Sequence, residues 1–254
     1  MENMKRKMNN GEIVFGMMLS EVATPNLVRI MDAAGYEFII VDCEHGYFDF
    51  SQLANLTSVG NGLNMTMLVR IPAITREFVT RCLDMSMDGV LVPMVNTSED
   101  AKKIVQLVKY PPLGFRGIST TRAHTNYSPP ALDEYIKKAN QRTIILVQIE
   151  SRQAVENAEE IAAVDGVDAL MVGPNDLALD FGTPGKLDTP EMEAAIKKVI
   201  QAAKKVGKPC GIIDSHVSFL RKWRDRGMNI FSCGSEVNMM MCCAKKNYDD
   251  FFRK

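Results

Sequence analysis

Most motifs that would assign a 254-residue chain quickly are missing here. No G-x-G-x-x-G follows an apolar run, and neither G-x-x-x-x-G-K-[ST] nor G-x-S-x-G occurs. Dinucleotide dehydrogenase, kinase and α/β-hydrolase readings thereby lose their main support. Thirty Lys and Arg against 31 Asp and Glu leave a formal charge of −1, without the basic footprint of a nucleic-acid binder. The longest apolar runs, such as VLVPMV, reach about six residues, far short of the roughly 18 that a membrane span needs. The amino-terminal MENMKRKMNNGEIVF is basic but has no apolar segment behind the charges, so it does not read as a signal peptide. A soluble, cytoplasmic chain is expected. Six cysteines show no C-x-x-C and no metal-ribbon spacing, and are expected to be reduced and mostly buried. No core strand ends in lysine, as a Schiff-base enzyme would want. Lys102, Lys103, Lys197, Lys198, Lys204 and Lys205 fall on helix surfaces instead. No linker, low-complexity tract or internal repeat divides residues 1–254, which read as one domain.

What is present is regular. Hydrophobic residues make up 46% and charged residues 24%, the balance of a globular chain with a sizeable core. Eight short apolar runs recur along it: 13–19, 38–42, 65–71, 89–95, 143–149, 168–173, 210–214 and 229–234. Runs this short and this continuously apolar read as parallel strands buried on both faces. Helical segments alternate with them. Thr24-Pro25 opens one in which Leu27, Ile30, Met31 and Ala34 form an expected buried stripe. Ala101, Ile104, Val105 and Val108 form another. A third, after Thr189-Pro190, carries Ala195, Ile196, Val199 and Ala203 and stops before Gly207. Eight such units in about 250 residues predict a (β/α)8 barrel. Only 110–140 breaks the rhythm; it reads as a long loop over the carboxyl ends of the strands, where barrel active sites are built.

The side chains with chemical capability cluster at those strand ends. Asp42, Glu44 and His45 follow the second run, Arg70 ends the third, Gln148 and Glu150 end the fifth, and Asn175 and Asp176 follow the sixth. Glu150 and Asp176 are a candidate ligand pair for a hard divalent ion; the alternative is that each only caps the following helix or pairs with an arginine. His45 beside two acids suits general acid–base work, or is a loop histidine satisfied by backbone. Arg70 offers a fork of donors for a carboxylate or enolate oxygen, or a salt bridge to an acid at the mouth. Asp84 reads as solvated or capping. His124 and His216 lack a comparable acidic strand-end setting and read as structural. The Met/Cys-rich NMMMCCAKK reads as a packing or subunit-contact helix.

The blocks VDCEHG, LVRIP, GVLVPMVNTSEDA, YPPLGFRG, VQIES and VGPNDLALDFGTPG, in this order and spacing, resemble the HpcH/HpaI aldolases. These are metal-dependent pyruvate aldolases of the phosphoenolpyruvate/pyruvate barrel superfamily. The resemblance covers about residues 12 to 235. It implies that Glu150 and Asp176 hold a divalent ion (Mg²⁺, Mn²⁺ or Co²⁺) and that His45 is the catalytic base. Asp42 and Asp84 would support that histidine, Asp84 from an adjacent subunit. Arg70 would stabilise the pyruvate enolate, and Gln148 with Gly173, Pro174, Asn175 and Asp176 would bind the substrate. The substrates implied are a 4-hydroxy-2-oxo acid or, in the reverse direction, pyruvate and an aldehyde. The resemblance also implies a homohexamer, a trimer of dimers exchanging their carboxyl-terminal helix. This chain departs from the family pattern at Ser86, where glycine is frequent, and at Tyr47, Asn175 and Ala178. Two alternatives on the same enolate chemistry stand beside the aldolase: a citramalyl- or malyl-CoA-type lyase and an oxaloacetate decarboxylase. A catalytically idle barrel serving as a scaffold is a third.

Overall fold

The computed structural model describes residues 3–63, 65–128 and 130–253. Eight parallel strands form a closed barrel in chain order: β1 (Val14–Leu19), β2 (Phe38–Asp42), β3 (Thr66–Arg70), β4 (Gly89–Val92), β5 (Ile144–Ile149), β6 (Ala169–Val172), β7 (Cys210–Asp214) and β8 (Ile230–Ser235). The seam between β8 and β1 carries a register shift between Gly16 and Met18. Twelve helices surround the strands among the described residues. They are α1 (Asn3–Asn9), α2 (Pro25–Ala33), α3 (Phe50–Asn61), α4 (Arg76–Asp84), α5 (Ser98–Val108), α6 (Leu132–Arg142), α7 (Arg152–Glu156), α8 (Ala158–Ala163), α9 (Pro174–Asp180), α10 (Pro190–Lys205), α11 (Val217–Arg224) and α12 (Glu236–Phe252). No helix among the described residues is long and apolar enough to cross a membrane.

The two-residue period of a strand sorts the core into two shells. Phe38, Ile40, Leu68, Leu91, Ile144, Leu146 and Met171 fill the barrel interior, while Ile39, Val41, Val69, Ile145 and Val147 pack outward against the helices. The same alternation, continued to the carboxyl ends, brings Asp42, Arg70, Gln148, Glu150 and Gly173 into phase with the interior rows. The expected stripes of α5 and α10 are buried. In α2 the buried residues are Leu27, Val28 and Met31, while Ile30 is 56% exposed. That helix is rotated from the expected stripe, turning Val28 to the barrel in place of Ile30 and Ala34.

Two elements were not foreseen. Helix α1 places Met4 and Met8, one turn apart, inside the interior cluster and closes the amino end of the barrel. The second half of 110–140 is not loop: α6 occupies Leu132–Arg142. Its only buried residue is Ala139, so it leaves almost no apolar period to read. Ser86 lies at φ 79°, a left-handed conformation that glycine adopts without steric cost and other residues rarely do.

A repeated device finishes the amino end. Glu37, Asp88 and Asp168 each immediately precede an even-numbered strand and accept an N–H from the strand before it. The donors are Phe15 (3.1 Å), Met67 (2.9 Å) and Ile145 (2.8 Å). Lys7 pairs with Glu37, and Lys5 with Asp168 at 2.8 Å, so α1 also neutralises two of the three acids.

Candidate active site at the carboxyl mouth

A cavity of about 310 Å³ opens at the carboxyl ends of the strands, lined by Met18, His45, Arg70, Gln148, Ile213 and the turn from Gly173 to Asp176. Residues from β2, β3, β5 and β6 therefore converge, as strand-end residues of a barrel do.

Arg70 is buried and fully engaged. Its Nε donates to Asp42 Oδ1 at 2.9 Å and its Nη2 to Oδ2 at 2.6 Å, a bidentate pair that fixes the guanidinium plane. Its Nη1 lies 3.1 Å from Glu44 Oε2. Burial works to raise the Asp42 pKa, but the hydrogen bond and charge of Arg70 bring it below the ordinary carboxylate value. Burial raises that of Glu44, with Arg70 and His45 opposing.

Asp42 reaches His45 through the backbone. Asp42 Oδ1 accepts the N–H groups of Glu44 (3.1 Å) and His45 (3.3 Å), shaping the turn that carries the imidazole. The ring itself is exposed, with Nε2 3.9 Å from Glu44 Oε2. The acid nearest the imidazole is thus Glu44, whereas Asp42 is committed to Arg70.

Glu150 is 3% exposed. Its Oε1 accepts the Met94 N–H at 2.6 Å and its Oε2 the Gln148 side-chain amide. Burial pushes its carboxyl up to about 7, with the Met94 N–H and Arg70 opposing and the charges of Asp176 and Glu44 adding. Gly173 opens room beside it: a Cβ there would stand 2.6 Å from both Gln148 Nε2 and Glu150 Oε2. Gln148 Oε1 is buried with no hydrogen-bond partner.

These observations test the fit of a divalent ion. Among the described residues, no three His, Cys, Asp or Glu side chains form a ready ligand cluster. The donors present are carboxylate and amide oxygens in an acid-rich pocket, and the acceptor Gln148 Oε1 is orphaned. That set suits a hard cation held by two carboxylates, with substrate and water completing its shell. The residues fit.

The remaining candidates lie elsewhere. Asp84, at the end of α4, accepts from Arg116 Nη2 at 2.8 Å and stands 3.6 Å from His124 Nε2; among the described residues nothing joins it to His45 of the same chain. His124 is buried between Tyr135 and the Ser119 carbonyl, in keeping with a structural role. His216 corrects the expectation that it lacks an acidic strand-end setting. Asp214, the last residue of β7, accepts both its backbone N–H (2.7 Å) and its Nδ1 (2.9 Å). The D-S-H spacing carried that signal. All six cysteines are free, four buried and two exposed on α12.

Comparison with known proteins identifies the family. The model of the HpcH/HpaI aldolase/citrate lyase family matches residues 16–242. A 5-keto-4-deoxy-D-glucarate aldolase of Klebsiella pneumoniae is 33% identical over 230 residues, covering 91% of this chain and 89% of the relative. The crystal structure of an HpcH/HpaI aldolase from Desulfitobacterium hafniense DCB-2 superposes with a TM-score of 0.95 at 33% identity, over 99% of this chain and 97% of that one. A family protein from Burkholderia cenocepacia J2315 gives 0.92 at 27% identity, over 100% of both chains. The chain belongs to the HpcH/HpaI aldolase/citrate lyase family and is a carbon–carbon lyase of the aldolase type. The family is generally dependent on a divalent metal.

Proposed function

We propose that this family member cleaves, and in reverse forms, a 4-hydroxy-2-oxo acid of the 5-keto-4-deoxy-D-glucarate kind, giving pyruvate and an aldehyde. The observation that carries the reading is the charge pattern of the mouth. Asp176, Arg70, Gln148 and His45 line one cavity; behind them Glu150 accepts from Gln148 and Glu44 lies 3.1 Å from Arg70, so three acids share one guanidinium. Glu150 and Asp176 are the residues that would hold Mg²⁺, Mn²⁺ or Co²⁺. When bound, such an ion supplies Lewis acidity that polarises the ketone of a 2-oxo acid.

The protein's own groups divide the rest of the work. Gln148 and the Gly173-Pro174-Asn175 backbone seat the pyruvoyl end, for which the missing Cβ of Gly173 leaves room. His45 takes the proton of the C4 hydroxyl; the C3–C4 bond breaks, the aldehyde leaves, and its electrons pass into a pyruvate enolate. Arg70, held flat by Asp42, turns its Nη1 edge to the developing oxyanion in place of Glu44. A proton delivered to C3 completes pyruvate. Asp84 acts toward His45 of an adjacent subunit in a homohexamer, with the exposed Met240, Met241, Tyr248, Phe251 and Phe252 of α12 forming contacts between copies. One domain spans residues 1–254, and the enzyme works in the cytoplasm on small molecules, without nucleic acid or membrane.

The test is pyruvate release from a panel of 4-hydroxy-2-oxo acids that includes 5-keto-4-deoxy-D-glucarate. It is run with EDTA and after Mg²⁺, Mn²⁺ or Co²⁺ is restored. Metal-dependent release supports the reading and ranks the substrates. A folded, metal-loaded protein releasing no pyruvate overturns it in favour of a CoA-ester lyase or an oxaloacetate decarboxylase. Release from metal-free protein, verified by elemental analysis, removes the ligand role from Glu150 and Asp176.

A further inference from the structure

Glu236, the first residue of α12, is 2% exposed and its carboxylate has three backbone partners in the loop after β1. The Ser20 N–H donates to Oε2 at 2.9 Å, the Glu21 N–H to Oε1 at 2.6 Å and the Val22 N–H to Oε1 at 3.0 Å. Three successive amides converging on one carboxylate fix that loop at a set height above the mouth. None of these four residues lines the cavity.

The loop it fixes leans on the turn carrying His45. A Cβ on Gly46 would stand 3.0 Å from the Ser20 carbonyl oxygen and closer still to that of Asp42. The Asp42 contact, within the turn itself, is what requires glycine; the Ser20 contact places the two loops in tight van der Waals contact. One residue further along, the Glu21 carboxylate beside the Tyr47 hydroxyl raises that hydroxyl's pKa. The His45 turn is held on its inner side by Asp42 and on its outer side by the 20–22 loop. That loop in turn is held by Glu236, 216 residues from Ser20 in sequence.

We infer that Glu236 is a positioning residue for His45, acting through Ser20, Glu21 and Val22. It touches no substrate. It sets where the turn 45–47 rests, and thereby the approach of the imidazole to the hydroxyl it deprotonates. Because the pyruvoyl end is seated by β3, β5 and β6, displacement of this turn acts on turnover and leaves ground-state binding alone.

The inference rests on His45 as the base, so the assay measures wild type, His45→Ala and Glu236→Gln side by side. The reaction is pyruvate release from 5-keto-4-deoxy-D-glucarate with Mn²⁺. Glutamine keeps the shape of the side chain but removes the charge and one acceptor. Expected for Glu236→Gln is a kcat lowered ~10-fold, since a misplacement of about 1 Å at a catalytic group costs up to 10²-fold. KM should stay within about twofold. In a double-mutant cycle, Tyr47→Phe should be non-additive with Glu236→Gln, although the two side chains share no contact, because both act on one loop. If Glu236→Gln does not fold, Glu236→Asp, which keeps the charge but draws the carboxylate back from the amides of 20–22, carries the same test with the same expected split of kcat from KM. Unchanged kcat in folded Glu236→Gln overturns the inference, as does a rise in KM matching the fall in kcat, or an additive cycle. Retained turnover in His45→Ala removes the base assignment itself and is read independently.

Discussion

At the amino end of the barrel Glu37, Asp88 and Asp168 each accept a strand N–H, and Lys5 and Lys7 reach two of them. At the carboxyl end the charges of Glu44 and Asp176 act on Glu150, with Arg70 the guanidinium near them and Asp176 and Arg70 lining the cavity. The residue type is the same, and all six acids lie within four residues of a strand. What differs is the charge around them: Lys7 and Lys5 offset Glu37 and Asp168, whereas Glu44, Glu150 and Asp176 share one guanidinium that Asp42 already engages. An acid whose hydrogen bonds and charge are met contributes to stability; Glu150, buried beside the charges of Asp176 and Glu44, lowers it when ionised, and its use lies in what it binds. The closed end is the structural one, and the open end is the chemical one.

Substitutions at the two ends should therefore separate activity from stability. The largest effect is expected for Glu150→Gln, which should lower metal-supported pyruvate release by about 10²–10³-fold. Its melting temperature near pH 8 should equal or exceed that of wild type, because a repelled carboxylate has been neutralised. A variant that loses activity only by unfolding would erase the distinction. Next is Met8→Ala, which removes most of a fully buried side chain from the plug and should cost about 2–4 kcal/mol of stability in denaturant titration. Its kcat/KM, measured well below the transition, should stay within about twofold of wild type; a parallel loss of activity would mean that the two ends are coupled.

The smallest effect sharpens the comparison within the closed end. Burial pushes the Asp88 carboxyl up to about 6, with the Met67 N–H opposing. Between its ordinary value and 6 the folded chain holds this proton more tightly than the unfolded chain does. The stabilisation is present below the ordinary carboxylate value and is lost as pH rises through about 6. Asp88→Asn keeps an acceptor for Met67 without ionising, so its stability relative to wild type should improve between pH 4 and 7 by on the order of 1 kcal/mol. Denaturant midpoints across that range measure it. A flat difference would show that Asp88 is charged throughout.

The barrel was legible in the sequence because each strand is buried on both faces and so is apolar without interruption. The clustering of acids, arginine and histidine was legible because strand ends are adjacent to their strands in sequence as well as in space. What escaped is long-range or polar. The seat of α1 depends on Met4 and Met8 meeting strands more than 200 residues away, and α6 buries only Ala139. The commitment of Asp42 to Arg70, rather than to the His45 ring, is a choice between two near neighbours that spacing cannot make. His216 was misjudged although Asp214 stood two residues before it.

The seam that closes the ring has a consequence for how the chain becomes active. Asn229 donates to the Met8 and Glu12 carbonyls, and Glu236 gathers the amides of 20–22, so the two extremes of the chain meet at the last join. Bringing ends so far apart together carries the largest loop-closure entropy in the fold, and contacts of that span form late. The turn bearing His45 leans on one of those contacts. During refolding, helical signal and most of the strand pairing should return before turnover does, so that catalysis serves as the clock for ring closure.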